Sequence, residues 1–243
     1  MLKCGRRPEA RRREGSATDV LLLILATLVP GLLWVVFFYR QDRWEAEPPG
    51  LVLWAFILGG AAIVPASLLE TPFRDVLAGP ADPLAQLIVV FLVVGLGEEL
   101  AKFAAVYLAV WGSRHFNEIM DGIVYSVAAA LGFATVENVV YATAFGLEIA
   151  PARAFLTSLA HASFSGVMGF YLGWARLFAA HPGPVLAGGV AAAALLHGAY
   201  DYVLLAGWAS PALALAMVGG LYGLLSRKIR TASRLSPFRR GRE

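Results

Sequence analysis

The feature that most restricts this chain is a series of apolar runs, each close to the length that crosses a bilayer. Seven are legible, at about 19–39, 51–69, 84–111, 121–147, 153–179, 185–206 and 208–226. A helix needs roughly 20 predominantly apolar residues to span the hydrocarbon core, and every run approaches or exceeds that length. The separators, such as "RQDRWEAEPPG", "ETPFRDVLAGPADP", "GSRHFNEIM" and "HPGP", are charged or rich in Pro and Gly. Only 15% of the residues are charged, too few for a soluble domain of this length. The runs are continuous rather than alternating, which argues against a β-barrel. The expected fold is therefore all-α, a polytopic bundle of about seven or eight transmembrane helices in a multi-pass membrane protein.

Charge collects at the two ends, in "KCGRRPEARRR" and "SRKIRTASRLSPFRRGR". Residues 1–18 and 227–243 read as basic tails around one transmembrane unit at 19–226. Such tails mark cytoplasmic ends and favour anionic lipid. No soluble domain accompanies them, so nucleic acid is not an expected partner. Two cytoplasmic tails require an even number of spans, and seven are counted, so one tail or one span departs from the simplest topology. The first run lacks a cleavage site and reads as a retained helix. The lone cysteine, Cys4, excludes an intrachain disulfide and a Cys-rich metal site.

Five ionisable residues interrupt these runs: Glu98, Glu99, Lys102, Glu137 and Asp201. Each costs roughly 2.5–3.5 kcal/mol at mid-bilayer, on the order of 10 kcal/mol together before pairing offsets it. Such residues face a bundle interior or a wet cavity. Glu98 and Lys102 stand four apart and share a helix face, whereas Glu99 lies about 100° around the helix. One carboxylate is then free to be held by Lys102 while the other faces a cavity. Glu137 lies between Phe133 and Tyr141 on one stripe. His161 has Ser165 four residues on, and His197 and Asp201 share a face. Taken singly, each is satisfied by helix packing: a hydrogen-bonded core histidine, an ion pair, or an interhelical contact for Ser165 and Asn138. Four helices each bringing such groups point instead to one site. His115 and His181 fall in loops and carry no role. Asp121, at a helix start, reads as a cap or as a favourable charge at the positive end of the helix dipole.

A buried carboxylate beside imidazoles suits water activation, with an imidazole stabilising an oxyanion. Glu with two His also suits a hydrolytic zinc site, here His161, His197 and Glu137. The other readings are an ion or proton transporter, which the lack of an evident repeat disfavours, and a non-catalytic scaffold, which the paired glutamates disfavour.

The segments "GEELAKF", "DGIVYSVAAALGFATVENVVY", "HASFSGVMGFYLG" and "LHGAYDY", in that order, resemble the PrsW family of intramembrane proteases, and "YRQDRWEAEPPG" resembles its first polar loop. That family is distantly similar to the type II CAAX prenyl proteases and to the APH subunit of γ-secretase. The resemblance covers about residues 30–205. It implies an EExxK motif at Glu98, Glu99 and Lys102, FxxxE at Phe133 and Glu137, a lone motif histidine at His161, and HxxxD at His197 and Asp201. In the CAAX relatives the second motif ends in His rather than in a residue like Glu137. The resemblance further implies an endopeptidase of glutamic or metallo type in a prokaryotic inner membrane. Its expected substrate is a membrane protein such as a single-pass anti-sigma factor, cut at site 1.

Overall fold

The computed structural model describes residues 17–79, 82–146, 150–208 and 210–241. The basic segment 1–16, with Cys4, lies outside them. Among the described residues every regular element is helical: α1 (Ala17–Tyr39), α2 (Pro49–Ala61), α3 (Ile63–Glu70), α4 (Arg74–Ala78), α5 (Pro83–Val89), α6 (Leu96–Val110), α7 (Ile119–Phe145), α8 (Ala150–Phe178), α9 (Pro182–Leu205) and α10 (Pro211–Leu235), with short 3₁₀ turns and one π-helical turn. The breaks between α2, α3 and α4 are small, and a π-helical turn, Val90–Gly95, joins α5 to α6. The described residues thus make seven long passes, as the apolar runs predict.

Six of these passes are long and apolar enough to cross a membrane. The remaining one, α8, carries Arg153, His161 and several hydroxyls, which dilute its hydropathy. It lies in the interior, where Ser158, His161, Ser163 and Ser165 are buried. Its neighbour α7 is also interior: 94% of its most apolar window is buried, against 17% for α1 and for α10. The Leu, Ile and Val side chains exposed on the outer helices form the surface presented to lipid. The protein is a multi-pass membrane protein, an all-α helical bundle.

Glycines let the inner helices approach closely, as small residues do in membranes. A Cβ at Gly169 of α8 would lie 2.2 Å from the carbonyl oxygen of Gly122 in α7. One at Gly59 of α2 would lie 1.9 Å from that of Ala129. A Cβ at Gly95, in the π-helical turn, would lie 2.8 Å from the carbonyl oxygen of Ala194 and 3.0 Å from the amide nitrogen of Gly198, both in α9. The turn therefore seats the helix bearing Glu98 and Glu99 against the helix bearing His197. Gly169→Leu is expected to lower stability by about 1–3 kcal/mol or more through overpacking of this backbone contact. The midpoint of thermal unfolding in detergent measures it.

Successive passes alternate in direction, so the described chain begins and finishes at opposite ends of the bundle. At the finishing end the indole N–H of Trp44 donates to the carbonyl and hydroxyl oxygens of Ser233, both at 3.0 Å. The Arg176 guanidinium donates there to the carbonyls of Phe116 and Ser113, each at 2.9 Å, and to that of Trp111. Among the described residues this end also gathers Arg40, Arg114, Arg227, Arg230 and Arg234, whereas the opposite end has Arg74 and Arg153. α10 continues through the basic residues to Leu235, well past the apolar run, because its backbone bonds close internally whether lipid or water surrounds them.

Candidate active site

Four helices converge on one buried cluster. α6 supplies Glu98, Glu99 and Lys102, all buried; α7 supplies Glu137; α8 supplies His161; α9 supplies His197 and Asp201. All seven residues expected from the sequence meet here.

Lys102 is the hub. Its ammonium stands 3.0 Å from Glu98 Oε2, 2.9 Å from Glu99 Oε1 and 2.9 Å from His161 Nδ1. The expectation of one held and one free carboxylate is thus modified: Lys102 binds both, because three ammonium donors at zero exposure each take a partner. An ammonium can only donate, so in this arrangement His161 Nδ1 accepts and its proton sits on Nε2.

The two glutamates differ in what else they touch. Glu99 is fully committed: Oε1 also meets His197 Nδ1 at 3.2 Å, and Oε2 accepts the Ser165 hydroxyl at 2.7 Å. Glu98 Oε2 lies 3.7 Å from His197 Nε2, while Oε1 takes part in none of the described hydrogen bonds. Glu99 therefore fixes Lys102, His197 and α8 relative to one another, and Glu98 keeps one oxygen available.

Each imidazole is backed by a carboxylate. His197 Nε2 faces Asp201 Oδ2 at 3.2 Å across one helical turn. His161 Nε2 faces Glu137 Oε2 at 2.9 Å, and Glu137 Oε1 is held by Arg153 at 3.3 Å. The rings of His161 and His197 lie 5.0 Å apart, and Phe164 stacks on His197 at 4.8 Å. Phe133 lies under the Lys102 ammonium, 4.2 Å from ring centre to nitrogen.

The donor set suits a divalent metal. Ligating atoms of Glu98, His161 and His197 all lie within 4.8 Å of one another. Glu137 Oε2 is also a buried oxygen without a well-formed hydrogen bond, although His161 Nε2 is near. His161 Nε2 and Glu137 Oε2, 2.9 Å apart, would both reach one ion once that nitrogen gives up its proton.

Three contributors are not evident from the sequence. Arg153 binds Glu137 and Asn138, and stacks 3.5 Å over Tyr141. Thr157 joins the same network through Asn138, at 3.1 Å. Glu70, at the end of α3, lies within the electrostatic reach of Glu98, Glu137, His197 and Lys102. Arg153 and Glu70 sit at pass ends, where charged residues are ordinary, so nothing in their local pattern marks them.

The cluster lies off-centre. Glu137 is 8 residues from the end of α7 and 18 from its start, about 12 Å and 27 Å along the axis. It is therefore closer to the end away from Arg114 and Arg227.

The family model for the PrsW family intramembrane metalloprotease matches residues 47–225, which span every residue of this cluster. The chain is 39% identical over 186 residues to Protease PrsW of Geobacillus kaustophilus, covering 76% of this chain and 80% of that protein. It is 37% identical to Protease PrsW of Bacillus subtilis, over 76% of this chain and 83% of the relative. Protease PrsW of Clostridioides difficile is 32% identical over 204 residues, covering 77% and 79%. No solved structure gives a significant match. With the family model over most of its length and relatives matched over about four fifths of theirs, this chain belongs to the PrsW family of intramembrane metalloproteases.

Proposed function

We propose that this protein hydrolyses a peptide bond in or beside the transmembrane segment of a single-pass membrane protein such as an anti-sigma factor, with Glu98 activating the water. One observation carries the assignment to Glu98: its Oε2 is anchored by Lys102 while Oε1 is left clear of the described hydrogen bonds. That oxygen takes the proton of the attacking water and delivers it to the departing amine. Glu99, tied to three partners, holds the geometry and takes no proton.

His161 and His197, with Glu137, would hold a zinc ion. The ion would supply Lewis-acid polarisation of the scissile carbonyl and a water acidified towards neutrality. For His161 to offer Nε2, its Nδ1 must carry the proton, so Lys102 turns wholly to Glu98 and Glu99. Glu99 accepts the Nδ1 proton of His197 and fixes the ring, which would leave Nε2, beside Asp201 Oδ2, to face the ion. Arg153 holds Glu137 in place.

The off-centre depth supports a scissile bond in the half of the membrane remote from the loop that joins α1 to α2. The aromatic walls from Phe133 and Phe164 keep bulk water out.

Metal content of the purified protein by mass spectrometry, combined with cleavage of a membrane-inserted peptide, tests the reading. About one zinc per chain is expected, lost together with activity in His161→Ala/His197→Ala and on chelation. A metal-free protein with chelator-resistant cleavage that Glu98→Gln abolishes would replace zinc by direct imidazole polarisation. No cleavage of any membrane substrate would overturn the protease reading of this chain.

A further inference from the structure

A second group of carboxylates lies at the arginine-rich end of the bundle, remote from the active site. The loop between α1 and α2 brings Asp42, Glu45 and Glu47. The start of α7 brings Glu118 and Asp121. Ligating oxygens of Asp42, Glu47 and Asp121 fall within 4.8 Å of one another. Glu47, Glu118 and Asp121 are buried, the last two with no exposure.

Acidic residues alone would not make a site, and the unsatisfied oxygens are the independent sign. Among the described residues, six of the ten buried side-chain polar atoms without a hydrogen-bond partner are oxygens of these two segments: Asp42 Oδ2, Glu45 Oε2, Asn117 Oδ1, both oxygens of Glu118, and Asp121 Oδ1. The other oxygens are bonded in a way that aims these inward. Asp42 Oδ1 accepts the Trp44 N–H at 3.3 Å. Asp121 Oδ2 accepts the N–H groups of Asn117 and Glu118 at 2.7 and 2.8 Å. The Glu118 side chain caps the first-turn amide of Asp121, with the Ser236 hydroxyl beside it, in a geometry too loose to satisfy either of its oxygens. Glu47 Oε2 accepts the Tyr125 hydroxyl, and its carbonyl accepts the Tyr39 hydroxyl at 2.8 Å. The ion pairs among the described residues involve none of these five carboxylates. Buried anionic oxygens without donors call for a cation.

We infer that Asp42, Glu47 and Asp121, with Glu118 beside them, form a binding site for a hard divalent cation that clamps the α1–α2 loop to the start of α7. The donors are all oxygen, which selects calcium or magnesium over zinc, and three or four carboxylates with wide spacing favour calcium. Burial pushes Glu47 up to about 7, with repulsion from Asp42 and Glu45 adding to it. It pushes Glu118 up to about 8, with Asp42 and Asp121 adding to it. A bound cation relieves this repulsion. The clamp would fix the entry of α7, the helix that carries Glu137, and the adjacent end of α10 through Trp44 and Ser233.

The test uses the full-length protein in detergent, stripped with chelator and titrated with calcium, magnesium or zinc while thermal unfolding is followed. Calcium at about 100 times its dissociation constant is expected to raise the midpoint by about 5–10 °C. The rise should vanish in Asp42→Asn and in Glu47→Gln, neither of which removes the cap of α7. It should persist in His161→Ala/His197→Ala, which separates this site from the active-site zinc and from the fate of that reading. A midpoint unmoved by any of the three ions at millimolar concentration would overturn the site. So would an equal rise in both acidic variants, or loss of the rise in the double histidine variant. Stabilisation by acidification alone, with nothing added by calcium, would also overturn it and leave shared protons as what holds the cluster.

Discussion

Glu98→Gln lowers the cleavage rate of a membrane-inserted substrate by about 10²–10⁴-fold, the range removed with a general base. The amide keeps the shape of the side chain and its contact with Lys102, yet it cannot accept the proton of the attacking water. The loss therefore falls on kcat, with substrate binding retained and metal content equal to wild type. Glu99→Gln is the contrasting variant. Glu99 accepts from Lys102, His197 and Ser165 at once, so its amide leaves donors facing donors. It is expected to lower thermal stability as well as rate, and to do so in protein that makes no catalytic contact. Equal losses of rate without a difference in stability would remove the distinction between the two glutamates. Retention of near wild-type cleavage by Glu98→Gln would remove Glu98 from the mechanism.

Lys102→Met is expected to destabilise the protein by about 3–5 kcal/mol, the cost of breaking a buried ion pair by deleting one partner. The ammonium has zero exposure and neutralises Glu98 and Glu99 together while filling the lone pair of His161 Nδ1. Without it two carboxylates face each other in a dry interior. Thermal or denaturant unfolding in detergent measures the loss. Adding Glu99→Gln to Lys102→Met should recover part of it, because one of the two stranded charges is gone. A purely additive double variant would show that the lysine acts through packing on Phe133 rather than through charge. Activity separates further: Lys102→Met should be inactive even where it is folded, since Glu98 loses its anchor.

Much of this protein was legible in its sequence, for reasons that belong to single helices. Bilayer thickness sets the length of an apolar run, so seven passes could be counted without a structure. Helical periodicity reports on neighbours one turn apart, so the pairs Glu98–Lys102 and His197–Asp201 were visible, and both close at 3.0 and 3.2 Å. The high cost of charge in hydrocarbon made the seven residues of the site stand out against their background. A role for Asp121 at a helix start followed from its position, but the cap itself is Glu118, and Asp121 in the first turn accepts the amides of Asn117 and Glu118.

What crosses from one helix to another was decided by tertiary packing alone. Backbone contact at Gly122, Gly169, Gly95 and Gly198 sets which faces meet and at what height, and no intrahelical period encodes that. Hence the sequence left open which glutamate is free, while the structure engages both oxygens of Glu99 and spares one of Glu98. It did not mark Arg153, because an arginine at a pass end is unremarkable until Glu137 and Asn138 are found beside it. The acidic residues of the α1–α2 loop read as an ordinary polar separator, since a loop's local pattern carries no measure of burial. Only the fold brings that loop onto the start of α7, where oxygens that water would have satisfied are shut away from it.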